Sequence, residues 1–270
     1  MRDTAGGKTP GRMTGLQGAV MDKTFCREFP VQHSQADFLG NLSLPHLGDI
    51  ILNLAGMHAD SLGIGIRSLQ ERGLTWVLAE LSITPRAPVK IGSVLRGETG
   101  IAEFNRITSR RFFRFYDGET LTAEAYSLWT VIDLEKRKPV NLTGIMGRLA
   151  ELQQPEAAPA RVPRPRFSAE PGSRPAAVRK ITYSQIDINR HLYSIEYLKM
   201  ALDLFPPERF SARGIRGFTI NFAREIRHGE EISLHLCGDD APNPETSRVE
   251  IQNAAGESCA RAEIAWGPLS

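Results

Sequence analysis

The feature of this sequence that most restricts its fold is an internal repeat. The frame Ser-Gln-x-Asp occurs at residues 34–37 and again at 184–187, an offset of 150. Farther along, ITPRAPVKIG, which ends at Gly92, aligns with INFAREIRHG, which ends at Gly229, with an offset of 137. The same offset of 137 relates the two copies of Ala-x-Ala-x-x-x-Trp, which end at Trp129 and Trp266. Matches that keep one order, two of them with one offset, indicate a duplicated unit.

Each copy also has the same predicted order of elements. An extended segment (25–32 and 177–183) leads to the frame, and a helical pattern follows it. In the first helix, apolar side chains at steps of three and four define one face, and Pro45 suits the first turn. The members of that face are Leu47, Ile50, Ile51, Leu54 and Met57. The second helix repeats the pattern from Ile195 to Phe205, with Ser194 predicted as its cap and Pro206-Pro207 after its end.

Strand-like runs follow each helix. The first copy has TWVLAELSI, SVLRGETGIAEF and LTAEAYSLWTVID, and the second has IRGFTINFA, EISLHLCG, RVEIQNA and CARAEIAW. One helix and an antiparallel meander, twice, predict an α+β tandem (double) hotdog, in which each half is an antiparallel sheet wrapped around a central helix. The predicted division is a disordered leader (1–23), an N-terminal hotdog (24–150), a Pro/Arg-rich linker (151–176) and a C-terminal hotdog (177–268). The first copy has a longer segment between its frame and its glycine, which predicts a longer helix and loop.

Composition excludes several classes of protein. With 41% apolar and 24% charged residues the chain is typical of a globular protein, and its net charge of +2 gives no sign of a general nucleic-acid or membrane binder. No apolar run approaches the roughly 18–20 residues of a membrane span. The three cysteines lack metal or disulfide spacing, so we predict no metal, no disulfide framework and a cytoplasmic location.

Only the second copy carries a full set of polar side chains at the frame. Asp187, Asn189 and His191 alternate just before a helix start, so in an extended segment their side chains would point the same way. Glu225 belongs to the same set and is predicted on a strand. At the four equivalent positions the first copy has Asp37, Leu39, Asn41 and Pro88.

These residue types suit acyl chemistry. Asn189 can donate a hydrogen bond to a carbonyl oxygen, and the imidazole of His191 can take up and release a proton. The carboxylates of Asp187 and Glu225 can orient His191, activate water or attack a carbonyl carbon. The helix N-terminus beside them offers amides to a developing oxyanion. The alternative is that Asp187 and Asn189 only form an Asx-type turn and that His191 is a core residue; the presence of all four in one repeat favours function.

The second copy resembles the motif S-D-x-D-x-N-x-H-V-N-N-x-x-Y of the acyl-acyl carrier protein (acyl-ACP) thioesterases. Ser184, Asp187, Asn189, His191 and Tyr197 match that motif. The region LAGMHADSLGIGIRSLQERGLTWVLAELSITPRAPVKIGS is similar to the family's first helix, Trp-containing strand and Pro-bearing strand, and the likeness spans residues 24–267. The resemblance implies hydrolysis of the thioester between a fatty acyl chain and ACP in fatty-acid biosynthesis, without a metal or an organic cofactor.

The resemblance also implies site residues. Catalytic roles go to Asp187, Asn189, His191 and Glu225, and the acyl pocket is expected largely in the N-terminal half. The substrate-binding candidates are Leu54, Met57, Trp76 and Tyr193. This chain departs from the motif at Leu192-Tyr193-Ser194, where the family has Val-Asn-Asn, at Gln185 in place of the first acid, and at Ile226, where plant members have Cys. We expect Tyr193 to narrow the site.

Because ACP is acidic, basic surface is expected to guide its docking. One candidate patch is the predicted hairpin with Arg106, Arg110, Arg111 and Arg114, and the other is the linker with Arg161, Arg164 and Arg166. Either patch could instead be ordinary solvated surface. The assembly is expected to be a monomer or a homodimer of double hotdogs.

Two other functions fit the same scaffold. One is hydrolysis of acyl-CoA, which the fold alone does not distinguish from hydrolysis of acyl-ACP. The other is a non-catalytic protein that binds acyl chains or ACP, for which the altered Leu-Tyr-Ser stretch leaves room. A requirement for Glu225 would argue against that last function.

Overall fold

Ten strands form one continuous sheet in the computed structural model, which describes residues 23–238 and 245–268. The predicted leader lies outside these residues except for Lys23. The strands of the N-terminal half are β1 (Thr24–Pro30), β2 (Leu74–Pro85), β3 (Val94–Phe104), β4 (Ser109–Asp117) and β5 (Thr120–Asp133). Those of the C-terminal half are β6 (Ala177–Lys180), β7 (Gly214–Phe222), β8 (Glu231–Cys237), β9 (Thr246–Asn253) and β10 (Ser258–Gly267).

The helices lie on one face of this sheet. The described α-helices are α1 (Leu44–Ser61), α2 (Ile66–Gln70), α3 (Thr143–Met146), α4 (Ser194–Leu202) and α5 (Pro207–Ala212). Each Ser-Gln-x-Asp frame begins in a short 3₁₀ turn, His33–Gln35 or Tyr183–Gln185. The long helices α1 and α4 pack against each other and share one apolar core with both halves of the sheet. α1 has 18 residues and α4 has 9, which confirms the longer helix predicted for the first copy.

The order of strands is palindromic about the centre of the sheet. It runs β1-β3-β4-β5-β2-β7-β10-β9-β8-β6, so β2 meets its equivalent β7, antiparallel, in the middle. Ser82 lies opposite Thr219, and their hydroxyl oxygens are 2.9 Å apart. These two residues are 137 positions apart, the offset between the repeats. A pseudo-twofold axis therefore passes between them, and the predicted double hotdog is confirmed.

Two details of the predicted elements were wrong. Met57 is 42% exposed, because the buried face of α1 continues from Leu54 to His58, one full turn later. The strand β4 was missed among the predicted runs, since its arginines interrupt the apolar alternation. Its aromatic residues Phe112, Phe113 and Phe115 are nonetheless buried.

The segment 158–176, which we call the strap, crosses the face of the sheet opposite the helices. Tyr126 and the buried carboxylates of Glu80 and Glu250 point to that face, because their neighbours along each strand belong to the helix-side core. The Glu80 carboxylate accepts from Arg164 at 2.7 Å and from Arg161 at 3.3 Å. The strap is therefore held against both halves of the sheet, since its Ala169 amide donates to Glu250 at 2.7 Å.

Candidate active site

The two Ser-Gln-x-Asp frames fold into the same loop. In the first, Asp37 Oδ1 accepts hydrogen bonds from the amides of Leu39 and Asn41, at 2.9 and 3.0 Å. In the second, Asp187 Oδ1 accepts from the amides of the residues at the same offsets, at 2.8 and 3.1 Å. Asp187 thus forms the Asx-type turn considered from the sequence, and the same turn exists in the half that lacks the other polar groups.

In the second loop this turn places His191 beside Glu225. His191 Nε2 lies 3.2 Å from Glu225 Oε2, and the side-chain amide of Asn189 lies 3.5 Å from Asp187 Oδ2. The backbone of His191 pairs with Arg227, so the loop is fixed to the segment that carries Glu225. The four predicted catalytic residues are therefore brought together in the C-terminal half.

Glu225 lies in a loop, and its predicted place on a strand was wrong. β7 ends at Phe222, and the next two amides, of Ala223 and Arg224, donate to the carbonyl of Cys259. Tyr197 supports this loop, because its ring packs edge-on against Phe222 at 5.3 Å and its hydroxyl lies 3.5 Å from the Arg224 carbonyl.

Arg137 completes the cluster and was missed from the sequence. Its guanidinium donates to Glu225 Oε2, the same oxygen that faces His191. Arg137 comes from the N-terminal half, in the turn after β5, where its φ of 54° is in the left-handed region. In the sequence it is one member of the charged run EKRK, which is typical of a solvated turn.

The N-termini of the two long helices differ. Ser43 is the N-cap of α1, and its Oγ accepts from the His46 amide at 3.4 Å. The N-cap of α4 is Tyr193, and no described side chain accepts from the first-turn amides of that helix. Ser194 is the first helical residue, so the prediction that it caps α4 was wrong. The Glu196 amide donates to the Tyr193 carbonyl at 2.9 Å, so the amides of Ser194 and Ile195, close to His191 in the chain, are the ones where an oxyanion could bind.

Tyr193 reaches from the second loop to the other half. Its hydroxyl donates to Asp49 Oδ1 on α1 at 2.9 Å. Burial, together with the neighbouring Asp49 charge, raises the pKa of Tyr193, so the phenol is a neutral donor at physiological pH. The side chain therefore bridges the loop and α1, and a narrowing of the site by Tyr193 stays a prediction.

The other predicted substrate-binding residues lie in the N-terminal half. Leu54 is fully buried in the shared core, and Trp76 donates from its indole to the carbonyl of Ile64 at 2.8 Å. Trp76 also packs edge-on against Trp129. Met57 is exposed on α1, away from this interior. Contact of Leu54 and Trp76 with an acyl chain stays a prediction.

Most of the predicted docking arginines are engaged within the protein. Arg111 is buried, with Nη1 2.7 Å from His58 Nδ1, so its assignment to a docking surface was wrong. Burial, and then the charge of Arg111, lower the pKa of His58 to about 3. Arg110 is mostly buried against Glu103. Arg161 and Arg164 are exposed but bind Glu80, whereas Arg166 is exposed and forms no ion pair among the described residues.

Neither a metal nor a membrane span is indicated in the part of the chain that the structure describes. No group of three or more His, Cys, Asp or Glu side chains there is arranged to hold a metal ion. None of the described helices combines the length and the apolar character that crossing a bilayer would require.

Comparison with known proteins agrees with this architecture. A family profile described as acyl-ACP thioesterase N-terminal domain matches residues 22–145, and one described as the C-terminal domain matches residues 174–268. Oleoyl-acyl carrier protein thioesterase 2 of Arabidopsis thaliana is 20% identical over 96% of this chain and 75% of its own length. Dodecanoyl-[acyl-carrier-protein] hydrolase of Cinnamomum camphora is 22% identical over 94% of this chain and 69% of its own.

A solved structure extends the similarity to three dimensions. The crystal structure of an acyl-ACP thioesterase from Bacteroides thetaiotaomicron superposes with a TM-score of 0.78 and 28% identity, over 91% of this chain and 98% of that one. The two profiles together cover both halves of the chain, on either side of the strap. This chain belongs to the acyl-ACP thioesterase family and is a thioester hydrolase.

Proposed function

We propose that the C-terminal half hydrolyses acyl-ACP by attack of a water molecule that His191 and Glu225 activate together. The observation that carries the proposal is the pairing of His191 Nε2 with Glu225 Oε2 at 3.2 Å, beside the uncapped N-terminus of α4. A base within hydrogen-bond reach of water and a nearby set of amides are what hydrolysis of a thioester needs.

The steps follow from the positions of these groups. Water attacks the thioester carbonyl carbon while His191, oriented by Glu225, takes its proton. The amides of Ser194 and Ile195 and the side-chain amide of Asn189 stabilise the negative oxygen of the tetrahedral intermediate. The intermediate then expels the pantetheine thiolate, which receives the proton from His191, and the fatty acid is released.

Asp187 and Arg137 act as positioning residues in this scheme. Asp187 fixes the loop through the amides of Asn189 and His191. Arg137 holds Glu225 from the opposite half, so the charge of that carboxylate is balanced and its second oxygen is oriented.

The carrier and the compartment are also part of the proposal. We take ACP rather than CoA as the natural acyl carrier because the likeness to acyl-ACP thioesterases extends over both halves. Arg166 is an exposed strap arginine available to an acidic carrier. A cytoplasmic location is supported by the three cysteines, which are all free in the described structure.

The test is thiol release from a panel of acyl-ACPs and matched acyl-CoAs. We expect wild-type protein to turn over acyl-ACP faster than the CoA ester of the same chain. His191→Asn, which installs the residue found in the first loop, should reduce turnover by at least about 10²-fold while leaving the thermal unfolding midpoint nearly unchanged. Equal turnover in His191→Asn, or faster hydrolysis of acyl-CoA, would refute the respective part of the proposal.

A further inference from the structure

The loop of the first repeat borders a second cleft, which the hydrolytic reaction does not use. Its volume is about 590 Å³, within the range of small-molecule sites. Asp37, Asn41 and Pro88, which line it, are the equivalents of Asp187, His191 and Glu225. We call it the twin cleft, because the pseudo-twofold axis relates it to the catalytic site.

The twin cleft is open because a small residue, Ser43, stands where the other half has Tyr193. On the catalytic side Tyr193 extends to Asp49 and bridges the loop and the facing helix. The equivalent residue on the other side is Ser43, whose short side chain turns back to His46 at 2.8 Å. Lys199, on α4, takes the place of Asp49. No phenol therefore closes the twin cleft.

The walls of the twin cleft are apolar and come from both halves. The N-terminal half contributes Leu42, Leu47 and Leu95, and the C-terminal half contributes Phe210 and Ile215. The mouth carries Phe38, which is 61% exposed. Leu39 beside it is 41% exposed and also lines the cleft, and adjacent exposed apolar side chains are typical of a surface that receives an apolar ligand.

Polar groups at the cleft favour a negatively charged head group. Lys90, Arg213 and Arg216 line it, and among the described residues neither Lys90 nor Arg216 forms an ion pair with a carboxylate. The nearby acid, Asp37, already accepts two amides of its own loop. The buried Oδ1 of Asn41 has no partner among the described residues. An amide can flip to present either its oxygen or its nitrogen to a ligand.

The side chains that line this cleft do not include a pair that could hydrolyse a bound ester. Asn41 does not titrate and Pro88 has no polar side chain, so the pair that activates water in the other half has no counterpart. A ligand that enters here is therefore held and released unchanged.

We propose that the twin cleft is a second, non-hydrolytic site for a free fatty acid. The apolar walls would take the chain, and Lys90 with the two arginines would face the carboxylate. Fatty acid is the product of the other half, so the site would respond to product concentration. Binding at this site can be measured without turnover, so its test is independent of the proposed catalytic mechanism.

The test is calorimetric titration of the full chain with dodecanoate below its micellar concentration. Ser43→Tyr puts a bulky side chain into the lining of the twin cleft, and we expect this variant to bind one equivalent of dodecanoate fewer than wild type. Lys180→Glu, a charge reversal on the edge strand β6 outside the cleft, serves as the matched control and should retain the wild-type stoichiometry. The same stoichiometry in Ser43→Tyr and wild type, or no binding by wild type, would overturn the proposal.

A second variant covers the case in which Ser43→Tyr does not fold. Lys90 is exposed, so Lys90→Glu leaves the core intact. Lys90→Glu should weaken the affinity of the twin cleft for dodecanoate by about tenfold, a change in binding free energy of about 1.4 kcal/mol. Dodecanol, which has the same chain without the charge, should bind wild type and Lys90→Glu alike. Dodecanoate affinity that is unchanged in Lys90→Glu would refute the assignment of the head group.

Discussion

The loops at residues 37–42 and 187–192 have one backbone and two chemistries. Each is held by an aspartate that accepts two amides, and each has a left-handed residue at its fourth position, Gly40 in the first and Arg190 in the second. The loops differ in the side chains mounted on this frame and in the groups that reach them from outside. In the proposed mechanism the turn is therefore scaffold, and catalysis depends on His191, Glu225 and the N-terminus of α4.

The largest effect on kcat should come from removing the carboxylate of Glu225, which has no counterpart at the first loop. Glu225→Gln keeps the shape of the side chain but loses the charge that orients His191 and balances its proton. We expect kcat on acyl-ACP to fall by about 10³-fold. Glu124→Gln is the matched control, because Glu124 also pairs with an arginine, Arg86, on a surface outside the site. Comparable losses of kcat in Glu225→Gln and Glu124→Gln would show that Glu225 has no special role in catalysis.

The two aspartates separate scaffold from catalysis. Asp37→Ala and Asp187→Ala each remove the acceptor of two backbone amides, and each should lower the free energy of unfolding by about 1–3 kcal/mol in urea titrations. Asp187→Ala should in addition lower kcat at least tenfold below that of Asp37→Ala, because it releases the loop that holds His191. Equal kcat values in the two variants would remove Asp187 from the positioning of His191.

Arg137 tests whether the N-terminal half contributes to the site of the other half. Arg137→Gln should lower kcat about tenfold with little change in KM, because Glu225 loses a charged partner that orients it. Arg137→Lys should restore most of the activity, since it keeps the charge. Arg86→Gln, which breaks the exposed pair with Glu124, is the control. A loss in Arg86→Gln as large as that in Arg137→Gln would mean a general electrostatic effect.

The remaining effect concerns stability and is confined to the N-terminal half. Since the pKa of buried His58 is lowered from 6.5 to about 3, the unfolded chain binds a proton below pH 6.5 that the folded chain does not. The free energy of unfolding should therefore decrease as the pH is lowered from 6.5 to 3, with a contribution from this residue of up to about 1.4 kcal/mol per pH unit. His58→Gln keeps an acceptor for Arg111 and should lose that part of the slope. Parallel curves for wild type and His58→Gln, in urea titrations from pH 7.5 to 4.5, would contradict it.

Much of the fold followed from the repeat. The offsets of 150 and 137 placed the equivalent positions correctly, and the offset of 137 is the spacing of Ser82 and Thr219 across the centre of the sheet. The proximity of His191 to Glu225 was also expected, because two segments of one repeat had changed together. Patterns that recur at fixed spacing are visible in sequence even when each match is short.

The features that were not predicted from the sequence depend on contacts between distant segments. The turn that carries Arg137 has an ordinary charged composition, and only the closure of the sheet brings it to Glu225. The arginines of the strap were equally ambiguous, because Glu80 does not differ in sequence from any other glutamate on a strand. Ser194 was one position from the true N-cap, which reflects the limited precision of helix ends in sequence patterns.

The strap has a consequence for how such a protein can change over generations. In a dimer of identical hotdogs every substitution is made twice, so a tyrosine that suits one loop must also be tolerated in the other. A covalent connection that is anchored to both halves, through Glu80 and Glu250, keeps them together at a high effective concentration. A mutation then alters a single copy, so that one loop can keep Tyr193 while the other keeps Ser43.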